Sequence, residues 1–201
     1  GSSMATILFS GIPGFFLVLA IFLQSGNGLS PLQSGLTTVP FSVGVLVASV
    51  VSGRLGMRFP RRRIMAGALM LAVAMLWLRF VVQGLVPPLE RIRFLPPLFL
   101  GGLGLGIAIG PMFQTVLSNV PPRDAGSGSG ALQSMQQIGG ALGVALMGQI
   151  FFSRLASGLQ EGGASLPVFT HALNSALVYN TVAFALIVII VRLLPRPQII
   201  G

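Results

Sequence analysis

The chain reads as six long apolar blocks divided by short polar gaps. The blocks lie near Ala5–Gln24, Leu32–Gly53, Ile64–Val82, Phe94–Ser118, Gly128–Phe152 and Ala172–Leu194. A helix needs roughly 20 apolar residues to cross about 30 Å of hydrocarbon, so the pattern predicts six membrane-spanning helices and an all-α membrane protein. The gaps hold the turn residues and the charges: Ser25 to Gly28, Arg58 to Arg63, Pro87 to Arg91, Pro121 to Asp124, and the stretch around Glu161. Inside the blocks stand glycines, prolines and neutral amides. Gly102, Gly106 and Gly110 are four apart, as are Gly126 and Gly130, and Gly139 and Gly143; this spacing lets helix backbones approach closely in lipid. Pro13 and Pro40 are expected to kink the first and second helices.

Composition agrees with that pattern. Apolar residues make up 53% and charged residues 7% of the chain, with a mean hydropathy of +0.90. A soluble domain carries about 25% charged residues, so this surface faces lipid. The formal charge of +9 comes from twelve arginines. They sit in gaps between spans and not on a basic, aromatic-studded face, which excludes nucleic acid as a partner and fits membrane topology. One side collects Arg54, Arg58, Arg61, Arg62, Arg63, Arg123, Arg192 and Arg196, against Arg79, Arg91, Arg93 and Arg154 on the other. The richer side is expected to be cytoplasmic, with both termini there. Cysteine is absent, which removes thiolate chemistry, and nothing in the sequence calls for a metal or cofactor. Gly1-Ser2-Ser3 ahead of Met4 reads as a tag remnant, with residues 4–201 as one domain. The first span begins without a charged leader, so no removable signal peptide is expected.

Two runs carry a family resemblance. Gly53-Arg54-Leu55-Gly56-Met57-Arg58-Phe59-Pro60-Arg61-Arg62-Arg63 resembles the loop signature of the major facilitator superfamily between the second and third helices of a half. Gly53, Leu55, Arg58, Arg61 and Arg62 match; Met57 stands at the family's aspartate position and Pro60 at its second glycine. The run from Gly101 to Gly106, then Gly110-Pro111, Val120 to Gly130 and Gln137 to Val144 is similar to the fourth and fifth helices of the C-terminal half in the drug:proton antiporter family, its fourteen-helix branch above all. The resemblance implies a 3+3 inverted repeat, one half of a transporter whose substrate sits between two such halves, in a bacterial inner (plasma) membrane. An internal echo agrees with the repeat: Leu32-Gln33-Ser34 and Leu132-Gln133-Ser134 are each followed by Gly-Val, at Gly44 and Gly143.

Polar groups inside spans are the candidate site. Gln114 and Thr115 near the end of the fourth helix, Gln136 and Gln137 in the fifth, and Thr37 and Thr38 in the second would line a substrate cavity with Met112 and Phe113, soft groups suited to loosely specified apolar ligands. Interhelical hydrogen bonding is the alternative for each glutamine. Tyr179 and Asn180 in the sixth helix are expected to pack, since the resemblance puts the third and sixth helices outermost. His171 and the serines Ser127 and Ser129 begin spans on opposite sides, about 30 Å apart, which argues against a Ser/His enzyme. Met57 leaves the loop arginines without a local carboxylate, so Asp124 is expected to pair with one of them, Arg58 first. The functional expectation is a half-size, alternating-access transporter for small apolar or amphipathic molecules, drug-efflux-like and homodimeric. Its dimer would join along the second and fifth helices at Gly44, Ala48, Gly139 and Gly143. A fragment of a longer transporter, or a non-transporting scaffold that keeps the fold, is the alternative. With no acid inside a span, transport by this chain alone is expected to ignore a proton gradient.

Overall fold

The computed structural model describes residues 2–54, 59–85, 89–118, 120–163 and 165–193. Six helices in it are long and apolar enough to span a membrane. Helix α1, Ser2–Ile21, continues into a π-helical turn, Phe22–Gly26; α2 is Pro31–Arg54 and α3 Pro60–Gln83. A 3₁₀ turn, Arg91–Phe94, leads into α4, Leu95–Leu117; a second, Pro122–Asp124, leads into α5, Ala125–Gly162; α6 is Leu166–Leu193. No strand occurs among the described residues.

Local chemistry sets several boundaries. Ser30 and Gln33 form a reciprocal capping box at the start of α2: the Ser30 N–H donates to Gln33 Oε1 at 3.1 Å, and the Gln33 N–H to Ser30 Oγ at 3.3 Å. Two donors that the helix leaves orphaned are thereby satisfied. Pro31 and Pro60 then occupy first-turn positions, where a missing N–H costs nothing. The main departure from the apolar pattern is α5, which runs on past Phe152 to Gly162 for 38 residues, about 57 Å at 1.5 Å per residue. Residues 153–162 are too polar for a membrane block but remain good helix, and Gly158 lets Val168 of α6 pack against them. The gap between the fifth and sixth apolar blocks is thus mostly helix, and α5 ends at Gly163, whose φ is +73°.

Packing follows the inverted repeat. Helix α4 lies along α2 and α3, α1 lies along α5 and α6, and α3 packs on α6. Exchanging α1-α2-α3 for α4-α5-α6 turns the α2·α4 contact into α5·α1 and leaves α3·α6 on itself. Helices α2 and α5 have no extended contact with each other, and α2 is the least covered of the six spans.

Small residues make the two principal crossings. A side chain at Gly44 would collide with the Phe99 carbonyl on α4, and one at Gly143 with the Ser10 carbonyl on α1; at Gly139 a Cβ would stand 2.6 Å from the Thr6 carbonyl. Ala48 is buried and sits against Gly106. The expected role of Gly44, Ala48, Gly139 and Gly143 at an interface between chains is thus corrected. These positions are consumed inside the chain, because α4 and α1 already occupy the small-residue faces of α2 and α5.

Arginines tie α3 to α6 at both ends. Arg61 Nη2 donates to the Arg192 carbonyl at 2.7 Å, and Arg79 Nε to Asn174 Oδ1 at 2.6 Å. The exposed faces of this pair are apolar, with Leu69, Val73, Leu76, Trp77 and Phe80 on α3 and Val178, Val182, Leu186 and Ile189 on α6. They face lipid, and the chain is an integral membrane protein.

Gly143→Leu should drive a side chain into the α1 backbone and destabilise the protein by about 1–3 kcal/mol or more. Gly130→Leu, where a Cβ meets nothing within 4 Å, should leave thermal unfolding in lipid nearly unchanged.

Candidate functional site: polar stripes on the second and fifth helices

Helix α2 has three faces. Ser34, Thr37, Phe41, Gly44, Ala48 and Ser52 are buried. Leu32, Leu36, Val39, Val43, Leu46, Val47 and Val50 form an exposed apolar face. The third face is small and polar: Gly35, Ser42, Ser49 and Gly53 are exposed, with Thr38 half-buried among them. Helix α5 repeats the arrangement. Its core face holds Leu132, Gly139, Gly143, Met147 and Phe151; Ile138, Leu142 and Leu146 form an exposed, mainly apolar face that also carries Gln149; and Gly130, Gln133, Gln137 and Ala141 form an exposed small and polar one, which Val144 interrupts. At 3.6 residues per turn, core, polar and apolar faces follow one another in the same rotational sense on both helices. The two polar stripes therefore occupy equivalent positions in the repeat.

The candidate residues divide on this geometry. Thr37 and Met112 are buried, at 6% and 1% exposure; Thr37 Oγ1 donates to the Gln33 carbonyl of its own helix at 2.8 Å. Both belong to the interior of the bundle and are corrected as cavity residues. Gln136 is half-buried and shares the α1-facing side of α5 with Gly139 and Gly143, whereas Gln137 is exposed on the polar stripe. Gln114 and Thr115 are exposed at the end of α4, the Thr115 hydroxyl donating to the Pro111 carbonyl at 2.7 Å. Phe113 is half-buried and stacks on Phe9 of α1, with centroids 6.0 Å apart. A second aromatic contact, Phe16 on Phe41 at 5.1 Å, lies two turns further along α1 and joins it to α2.

The remaining polar groups tie helices together. The Asn180 side-chain N–H₂ donates to the Gly11 carbonyl at 2.9 Å, and the Tyr179 hydroxyl to Ser10 Oγ at 3.0 Å; both fasten α6 to α1. In the basic loop, Leu55, Met57 and Arg58 lie outside the described residues. Gly53 is exposed, Arg61 holds the α6 terminus, and the Arg62 guanidinium sits 5.2 Å over the Phe59 ring. Among the described residues, Asp124 Oδ2 has Arg123 Nε at 3.6 Å and no arginine of that loop. Arg58, the expected first partner of Asp124, lies outside the described residues; the pair with the adjacent Arg123 is exposed and worth about 0–1 kcal/mol.

The sequence profile of the Major Facilitator Superfamily matches residues 2–144. The chain belongs to the major facilitator superfamily. It is 36% identical over 158 residues to a probable actinorhodin transporter of Streptomyces coelicolor, covering 78% of this chain and 27% of that protein. A puromycin resistance protein of Streptomyces alboniger is 34% identical over 156 residues, 77% of this chain and 31% of its own length. A multidrug resistance protein of Mycobacterium tuberculosis is 30% identical over 185 residues, 88% of this chain and 33% of its own. The chain therefore spans about a third of the length of the curated relatives it matches.

For a member of this superfamily, the polar residues missed in the sequence are informative. Ser42 and Ser49 lie on the α2 stripe but read as ordinary small residues in an apolar block. Phe9 and Phe16 had a usable signal, since a seven-residue spacing puts them on one face of α1.

Asn180→Ala should cost about 1–3 kcal/mol through its lost hydrogen bond in a closed site. Tyr179→Phe should cost about 0.6 kcal/mol, the average for a hydrogen bond between membrane helices. Thermal unfolding in lipid would rank the two.

Proposed function

We propose that this chain supplies one six-helix half of an alternating-access transporter in the bacterial plasma membrane, for small apolar or amphipathic molecules of the kind drug-efflux proteins carry. The observation that carries the reading is the pair of polar stripes on α2 and α5. Such faces are poorly placed against lipid, while between their ends α3 and α6 expose apolar stripes, so the polar side is a cavity wall. Thr38, Phe113, Gln114, Thr115 and Gln137 belong to that wall, joined by Ser42, Ser49 and Phe9. The names of the relatives, which include a transporter and resistance proteins, support the substrate class.

The wall needs a second six-helix unit opposite it. A second copy of this chain would supply it in a homodimer, and the remainder of a longer polypeptide would supply it otherwise. The arginine-rich end, where the start of α3 meets the end of α6, is the cytoplasmic one by the positive-inside rule. A non-transporting scaffold is the competing reading.

Single cysteines in this cysteine-free chain test the wall. Ser42→Cys and Gln137→Cys should react with a polar maleimide in the bilayer, and Val43→Cys and Leu142→Cys should not. Equal labelling of all four would remove the cavity reading. In a homodimer, Ser42→Cys or Gln137→Cys should also crosslink between copies, whereas Trp77→Cys should not. Flux of an amphipathic dye in vesicles holding only this protein should be nearly indifferent to an imposed proton gradient; no flux at all would remove the homodimer and leave the scaffold or a half completed by a longer polypeptide.

A further inference from the structure

Helices α2 and α4 are zipped together by small residues at Gly44, Gly102 and Gly106. Continued for another turn, the four-residue spacing would bring Gly110 against the end of α2. It does not. A Cβ at Gly110 or at Gly53 would meet nothing within 4 Å. The helices part there, ahead of Pro111, and leave a half-open cleft of about 190 Å³ at the arginine-rich end. Glycine persists at a position where packing no longer demands it, and that keeps the cleft open.

The groups around the cleft are donors. Arg63 reaches in from α3, Ser49 and Ser52 from α2, and Gln114 from α4. Arg63 Nη2 donates to the Ser52 carbonyl at 3.0 Å and also to Ser52 Oγ, so the Ser52 hydroxyl keeps its own proton to give. Among the described residues no acid lines the cleft; Asp124 is beside Arg123, and Glu90 pairs with Arg93 before α4. The carbonyl end of α2 disfavours an anion, with about half a negative charge, but the Arg63 guanidinium already caps it and brings a full positive one. Pockets for drug-sized ligands run about 300–1,000 Å³, which makes this cleft too small for a transported molecule. It lies within the last two turns of α2 and the last three turns of α4, toward the arginine-rich end.

We infer that this cleft binds a phosphate group, from an anionic phospholipid headgroup or from free phosphate, and so fastens the cytoplasmic ends of α2, α3 and α4 to one another. The experiment uses the full chain in nanodiscs of phosphatidylcholine alone, with added phosphatidylglycerol, or with inorganic phosphate. Thermal unfolding and the phospholipid retained in native mass spectra are the readouts. Phosphatidylglycerol should raise the midpoint by about 2–4 °C and survive as a bound lipid. If phosphate in phosphatidylcholine discs gives the same rise, the source is the free ion; if only the lipid does, it is the headgroup. Gly110→Leu fills the cleft without touching Arg63 and should abolish the rise and the retained lipid while keeping its midpoint in phosphatidylcholine. Ser49→Val, at an exposed position, should weaken both and serves if the leucine variant does not fold. The proposal is overturned if both variants keep the full rise. It is equally overturned if neither additive shifts the parent protein, as when a carboxylate of a second unit fills the cleft. A rise lost only on Arg54→Gln/Arg61→Gln/Arg62→Gln would assign the effect to the basic rim and sink the cleft.

Discussion

The close approach of helix backbones at the α2·α4 and α1·α5 crossings is the contact on which the rest of this bundle depends. Lipid tails are as apolar as leucine, so membrane helices gain no hydrophobic drive by meeting one another. What remains is dispersion across well-fitted surfaces, together with a few hydrogen bonds. Gly44 against Phe99 and Gly143 against Ser10 bring backbone to backbone, and no larger residue could stand at either place. With these crossings fixed, α4 and α1 are each held on one side, and their other sides are free to pack on α3 and α6. The polar stripes of α2 and α5 then turn outward by default, because the small-residue faces are spent within the chain.

Much of this fold was legible because length and apolarity alone define a membrane span. Each of the six blocks overlaps one of the six helices to within a few residues of its ends, and the Gly44 and Gly143 echo falls at a close helix crossing in each repeat. The end of α5 was not legible. Residues 153–162 continue α5 with too few apolar residues for an apolar-block reading to register them. The candidate site was legible only in part. Intramembrane polarity identified Gln137 and Thr38 on the exposed stripe, but the same signal named Thr37, one position over and on the buried face. Register around a helix depends on which neighbour it packs against, and composition does not carry that. The glycine pairs were identified correctly as close-packing positions and assigned to the wrong partner for the same reason.

The arginines show how a chain nearly without acids uses its cations. Arg61 and Arg63 go to main-chain carbonyls in the last turns of α6 and α2, where the helix dipole presents about half a negative charge. Arg79 takes an amide oxygen instead. Each contact is local to one end of the bundle, so the cations brace the helix ends where they emerge and leave the middle of the membrane to glycine packing and to Asn180.

The two arginine ties between α3 and α6 stand eighteen residues apart on both helices, about 27 Å of axial rise. That length is close to the thickness of a bilayer's hydrocarbon, and pinning at both ends denies the pair the freedom to slide past one another. A bilayer with longer acyl chains must thin around this strut or make both helices tilt as one body, at a fraction of a kcal/mol per Å of mismatch. The back of the bundle thus has a fixed length that the bilayer around it must match.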